Sequence, residues 1–101
     1  MSRARDLISV LEKKGTISLD KIKLERGIAL VDTRDPQNII DAYRNGKMPL
    51  DSGKVKAMAT LLKQGVDLPP VVLGKGNLLK DGHHRYAAYK MVGRVSISYE
   101  K

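Results

Sequence analysis

The chain of 101 residues contains no cysteine, no phenylalanine and no tryptophan. Without cysteine it forms no disulfide, no cysteine-ligated zinc site and no iron–sulfur cluster, and it has no thiol nucleophile. Two histidines are too few for a structural zinc site when cysteine is absent. The only aromatic residues are four tyrosines, so the core is expected to be aliphatic. These absences exclude several large classes of redox and metal-dependent protein.

Long apolar runs are also missing. The longest is a few residues, far short of the roughly 20 that span a bilayer. The basic residues between Met1 and Asp6 are not followed by an apolar stretch of signal-peptide length. We therefore expect a cytoplasmic protein without a membrane partner. The length fits one domain, because compact domains most often have about 100–150 residues.

Positive charge is in excess. Lysine and arginine outnumber aspartate and glutamate by 19 to 11, for a formal net charge of +8. Such an excess attracts polyanions through a salt-sensitive field. Solubility alone also requires net charge, and +8 lies at the top of that ordinary range. Residues 1–50 carry ten basic and seven acidic groups, and residues 51–101 carry nine and four. An anionic partner is therefore expected to bind the second half.

Apolar spacing and turn residues predict one small α+β domain. An Asp35-Pro36 start predicts a helix that ends before Gly46, and Pro49 is interpreted as a break. A cap at Asp51 or Ser52 and a stop at Gly65 predict a second helix. Further helices are expected over 4–14 and 84–92, and strands near 16–19, 28–31, 71–73, 77–79 and 95–99.

Tyrosines and methionines at helical positions favour packing roles. Tyr43, Tyr86 and Tyr89 are expected to be in the core or half-buried rather than to stack on a base. Met58 falls on an apolar stripe and is also interpreted as packing.

The segment Asp81-Gly82-His83-His84-Arg85-Tyr86 carries the chemistry, because a predicted strand passes through a glycine turn directly into a helix. The N–H groups and dipole of a helix start favour a phosphate there. Gly82 allows close backbone approach, and Arg85 offers a planar set of donors. His83 and His84 can donate hydrogen bonds or accept a proton, but adjacent helical residues point about 100° apart and would not chelate one metal together.

A structural interpretation of the same segment stays open. Asp81 can be a helix cap that accepts from the His83 or His84 amide, with Arg85 a solvated helix residue. On the functional interpretation, Lys75 in the preceding turn and Lys80 beside the motif add positive potential.

The segment Asp81–Tyr89 resembles the signature of the ParB/sulfiredoxin superfamily, and Leu68–Leu73 resembles the Pro-Ile-Val-Val strand that precedes it. The predicted helix over 51–65 and the segment 17–22 are similar to that family's earlier helix and opening strand. Residues 35–50 look like an insertion. The resemblance implies a ParB/sulfiredoxin-like domain over 16–101, with a small mixed sheet and flanking helices. It does not extend to residues 1–15, where the apolar spacing predicts an N-terminal helical extension.

Nucleotide binding is the function that the resemblance implies. In this superfamily the corresponding turn and helix start hold the phosphates of ATP, ADP or CTP. Carried over, Gly82, His83, His84 and Arg85 would bind phosphate, with Lys80 beside them. Sulfiredoxins have their catalytic cysteine at the position of His83, so sulfinic-acid reductase activity is excluded.

The motif is most similar to that of ParB-like free-serine kinases and of stand-alone ParB-like domains often labelled as nucleases. In the kinases the motif's aspartate is implicated in catalysis, which makes Asp81 a candidate base or Mg²⁺ ligand, with His84 stabilising developing charge. Glu25 is the candidate for an upstream glutamate base. Arg34 corresponds to an arginine placed near the nucleotide.

Three functions therefore remain open. The first is a nucleotide-binding domain that transfers a phosphoryl group or hydrolyses a nucleotide with Mg²⁺. The second is a basic module that binds DNA or RNA, with nuclease activity as an extension. The third is a non-enzymatic regulator that keeps the fold and binds a protein partner.

Overall fold

The computed structural model describes residues 14–101. We number the strands and α-helices of this part in chain order. The strands are β1 (Lys14–Ser18), β2 (Gly27–Val31), β3 (Lys47–Asp51), β4 (Val71–Leu73), β5 (Leu79–Asp81) and β6 (Ser96–Glu100), and the α-helices are α1 (Pro36–Arg44), α2 (Ser52–Lys63) and α3 (His83–Met91). Short 3₁₀ turns cover Leu19–Lys21 and Lys75–Asn77.

Four strands form one mixed sheet in the order β1-β6-β4-β5. The β1–β6 and β4–β5 pairs are antiparallel, whereas β4 and β6 are parallel. The predicted α+β fold with a small mixed sheet and flanking helices is confirmed. A second, two-stranded sheet pairs β2 with β3 in parallel, with Gly27 opposite Lys47 and Val31 opposite Asp51. Helix α1 is the connection between these two strands.

The core is mainly aliphatic, as predicted. Val55 of α2, Val71 of β4 and Ala88 of α3 are fully buried, so the two helices and the larger sheet share one core. Tyr86 and Tyr89 are each 5% exposed and belong to it. The turn that opens α3 therefore lies beside the fully buried Val71.

Aspartate residues define two of the helix starts. The Asp35 carboxylate accepts from the Gln37 amide at 3.0 Å, and Pro36 is the first residue of α1. The Asp51 carboxylate accepts from the Gly53 amide at 3.0 Å and from the Lys54 amide at 3.4 Å, at the start of α2. The Asp35 cap was predicted from the sequence, and of the two predicted candidates for the second cap, Asp51 and Ser52, the structure has Asp51.

Two strand predictions need correction. Strand β3 was not predicted, because Pro49 indicated a break rather than a strand residue opposite Ala29. Strand β5 begins at Leu79 rather than near Asn77. The reason is the 3₁₀ turn before it, which ends at Asn77 with φ 63°.

The predicted N-terminal helix falls almost entirely outside the described residues, and Lys14 and Gly15 lie in β1. Among the helices of residues 14–101, none has the length and apolar character needed to cross a bilayer.

Candidate functional site

Helix α3 begins without a side-chain cap. Its N-cap residue is Gly82, in the left-handed conformation with φ 95° and ψ 29°, and its backbone carbonyl accepts from the Tyr86 amide at 2.9 Å. A Cβ on Gly82 would lie 2.8 Å from the Val71 Cγ1 atom, so both the conformation and the packing require glycine. The alternative that Asp81 caps this helix is wrong, because the N-cap residue is Gly82 and no side chain of residues 14–101 caps the first turn.

The turn faces a cleft of about 470 Å³. One wall is the predicted motif, and the other is formed by α1, β3 and α2. The lining residues are Tyr43, Met48, Pro49, Leu50, Lys54, Met58, Asp81, Gly82, His83, His84 and Arg85. The structure thus places all five motif residues from Asp81 to Arg85 on one cleft.

His84 links the two walls. Its Nε2 atom accepts a hydrogen bond from the Asp51 backbone N–H at 3.2 Å. A protonated Nε2 cannot accept, so this bond needs the neutral imidazole with its proton on Nδ1. Burial lowers the pKa of His84, and the positive charge of Lys54 acts in the same direction. His84 is therefore a neutral positioning residue that fixes the start of α3 against the β3–α2 junction.

His83 is the second half-buried histidine of the cleft. Burial is the main cause that lowers its pKa, and the negative charges of Asp81 and Glu25 partly oppose this. His83 is consequently a mostly neutral donor and acceptor at neutral pH, close to two carboxylates that would stabilise its protonated form. Glu25, the sequence candidate for a base, acts on His83 electrostatically but does not line the cleft.

Arg85 holds backbone rather than facing the cleft with all its donors. Its Nη1 atom donates to the carbonyls of Pro69 at 3.1 Å and Pro70 at 2.8 Å. Its Nη2 atom lies 3.6 Å from an Asp81 carboxylate oxygen. The Arg85 side chain is 19% exposed, whereas that of Asp81 is 75% exposed. Arg85 therefore fixes the approach to β4, and Asp81 is the accessible carboxylate of the cleft.

Lys54 was missed by the sequence analysis. It lies in the first turn of α2 and lines the cleft opposite the motif. It also lines a neighbouring cleft of about 530 Å³, together with Asp32, Arg34 and Asp51. The sequence does place Lys54 two residues after Ser52, near the predicted start of a helix. The cleft that this lysine faces depends on the tertiary fold.

The remaining predicted residues lie apart from the main cleft. Arg34 is in the neighbouring one, where its guanidinium donates to both carboxylate oxygens of Asp32 at 2.9–3.0 Å and holds the Asp32 pKa at about 2. Lys75 lies in the turn before β5, and the Lys80 side chain covers Gly74. Neither lysine lines the cleft.

Tyr43 does not follow the prediction for the tyrosines. It is 57% exposed at the cleft, while Tyr86 and Tyr89 are in the core. Within residues 14–101 no group of three or more histidine, aspartate or glutamate side chains is placed to hold a metal ion.

Comparison with solved structures supports the family resemblance at the level of fold. Two structures, both of a pNOB8-like ParB N-domain and one of them its C2221 form, superpose on 89% of this chain with TM-scores of 0.56 and 0.55. The chain has the fold of a ParB N-domain. Sequence identity to each is 16%, so the likeness concerns the fold alone.

The ParB-like domain spans 29% and 27% of the lengths of those two chains. No family model matches the sequence. No curated protein matches it either. The functional assignment therefore depends on the geometry of the cleft.

Proposed function

We propose that this ParB-like domain binds a nucleotide, with its phosphates at the turn from Asp81 to Arg85. The observation that carries the proposal is the uncapped start of α3, which opens into a cleft that also contains Lys54 and His83. The N–H groups of such a start and the positive end of the helix dipole favour an anion. A ParB-like fold is consistent with this use.

The side chains around the turn have distinct roles in this proposal. Lys54 supplies a positive charge from the opposite wall, and His83 donates a hydrogen bond to a phosphate oxygen. Gly82 lets the backbone approach the phosphate. His84 and Arg85 keep the two walls and β4 in position through their bonds to backbone groups.

A magnesium ion fits this arrangement. Mg²⁺ in phosphate sites is commonly held by one or two carboxylates together with phosphate oxygens and water. Among residues 14–101, Asp81 is the one exposed carboxylate that lines the cleft, so we propose it as the protein ligand of Mg²⁺. If binding leads to phosphoryl transfer or hydrolysis, Asp81 is also the accessible candidate for the base, and His84 acts by positioning.

Calorimetric titration with ATP, ADP and CTP, with and without Mg²⁺, tests the proposal. Lys54→Ala is expected to weaken binding about tenfold or more, since a charge-assisted hydrogen bond to phosphate is lost. Lys56→Ala is the matched control, because it removes the same charge from the same helix at an exposed position that does not line the cleft. Lys56→Ala is expected to have little effect.

A nucleotide at about 100 times its dissociation constant should also stabilise the fold by about 2.7 kcal/mol. Absence of both binding heat and thermal stabilisation with every nucleotide would overturn the proposal. Equal losses in the Lys54 and Lys56 variants would mean that the cleft is not the site.

The net charge of +8 favours a second candidate function, which is binding of DNA or RNA through the phosphate backbone. That function predicts affinity that falls steeply with salt and similar, small losses for Lys54→Ala and Lys56→Ala. If neither nucleotide nor nucleic acid binds, the remaining function is that of a regulator with a protein partner.

A further inference from the structure

We propose that Tyr43 stacks on the base of the bound nucleotide, and that the domain reads the face of the base rather than its edge. This inference rests on the nucleotide-binding function proposed above. It gives a binding role to the apolar side chains of the cleft, which phosphate binding at the turn does not require.

The exposure of Tyr43 is the first observation. Tyr43 is 57% exposed although it lines a cleft, whereas the two tyrosines of α3 are each 5% exposed. Burial of an aromatic ring is energetically favourable, and stacking of another planar group on its face adds to this stabilisation. A planar group bound in the cleft would cover the Tyr43 ring without any rearrangement of the core.

The distribution of polar and apolar side chains is the second observation. The motif wall carries polar side chains, whereas the opposite wall has Met48, Pro49 and Met58 together with Tyr43, and Lys54 as its one charged residue among residues 14–101. A volume of about 470 Å³ is within the usual range for a small-molecule site. A ligand with phosphates at one end and a flat apolar ring at the other matches this arrangement.

Base selectivity follows from the same wall. Among residues 14–101, the Tyr43 hydroxyl and the Lys54 ammonium, which is assigned to the phosphates, are the only side-chain hydrogen-bonding groups of this wall. Stacking tolerates any base, because every base has a π-face. ATP, CTP and GTP are therefore expected to bind within a few-fold of one another.

Titration calorimetry with ATP, CTP, GTP and inorganic tripolyphosphate tests the inference. The wild-type domain should bind nucleotides about tenfold or more tightly than tripolyphosphate, which has no base. Tyr43→Ala should remove this advantage and leave tripolyphosphate affinity within about twofold. Tyr43→Phe should retain it, because the ring remains.

Ile40→Ala is the matched control, as Ile40 lies on the same helix, is 43% exposed and does not line the cleft. It should change neither affinity. Tripolyphosphate that binds as tightly as the nucleotides, or a Tyr43→Ala variant that retains the nucleotide advantage, would overturn the role of Tyr43 while leaving the phosphate site intact. A parallel loss of tripolyphosphate affinity would show that Tyr43 is structural. More than about tenfold preference for one base would overturn recognition by the face.

A wild-type domain that binds none of the four ligands is a different outcome. It would overturn the phosphate site, and the role of Tyr43 with it.

Discussion

Helices α2 and α3 both begin just after a strand that ends in aspartate, yet their first turns differ. Asp51 ends β3 and is itself the cap of α2, where its carboxylate accepts from two amides. Asp81 ends β5, but Gly82 separates it from α3, and the Asp81 carboxylate lies toward Arg85 instead. Because Gly82 lies between Asp81 and α3, the Asp81 carboxylate does not cap α3. We call the capped start of α2 closed and the start of α3 open.

The two helix starts also contact each other. The Asp51 backbone N–H donates to His84, the second residue of α3. The closed start of α2 thus forms one wall of the cleft, and the open start of α3 forms the other. Asp51 thus stabilises the start of a helix, whereas Asp81 leaves the backbone N–H groups at the start of α3 available to a ligand.

The largest expected effect comes from filling the open start with a side chain. Gly82→Ala should destabilise the fold by about 2–5 kcal/mol, because left-handed alanine costs roughly 1–2 kcal/mol and overpacking against Val71 costs a further 1–3 kcal/mol. Chemical denaturation measures this loss.

Gly65→Ala is the control for that measurement. Gly65 also has positive φ, 84°, but a Cβ there meets no atom within 4 Å. It should lose only the conformational part, about 1–2 kcal/mol. Equal losses for the two variants would contradict the close packing of Gly82 on Val71.

The second effect compares the two aspartates directly. Asp51→Ala removes a cap and should cost about 0.5–2 kcal/mol of unfolding free energy. Asp81→Ala should cost less than about 0.5 kcal/mol, because its ion pair with Arg85 is long and the Asp81 side chain is 75% exposed. Denaturation midpoints of both variants give the comparison. A loss for Asp81→Ala as large as that for Asp51→Ala would mean that Asp81 stabilises α3 after all.

The smallest effect concerns the histidine that joins the two starts. The pKa of His84 and that of His83 are lowered from 6.5, so the folded state binds fewer protons than the unfolded state. The contribution of the two neutral histidines to the free energy of unfolding is fully present above about pH 6.5. It is lost as the pH falls toward their pKa values in the folded state. Unfolding free energy should therefore decrease between pH 7.5 and 5.

His84→Gln should reduce this pH dependence, since the glutamine carbonyl can still accept from the Asp51 amide without titrating. Denaturation at constant ionic strength compares the two proteins. An unchanged pH slope in the variant would show that His84 does not contribute to it.

Local signals account for what the sequence predicts well. The aspartate caps, Pro36 and Gly65 define α1 and α2 within the chain itself, and the motif from Asp81 to Arg85 is contiguous. Strand β3 was missed because it depends on a parallel partner about twenty residues away and contains Pro49. Such pairing is set by tertiary contacts rather than by local propensity.

The same limit applies to the site. Lys54 and Tyr43 lie about 30–40 residues before the motif, and only packing brings them to the cleft. The role of Arg85 was also not predictable, because its carbonyl acceptors at Pro69 and Pro70 belong to another segment. Residue type suggested a phosphate ligand, whereas the fold gives this side chain backbone acceptors.

Amide chemical shifts during a titration with inorganic tripolyphosphate test the central claim most directly. The largest changes are expected at the amides of His83, His84 and Arg85, which have no side-chain cap. The Gln37 amide, which is bonded to Asp35 at the start of α1, should not change. If the His83–Arg85 amides stay unchanged at saturating tripolyphosphate, or change no more than that of Gln37, the open start of α3 is not a phosphate site.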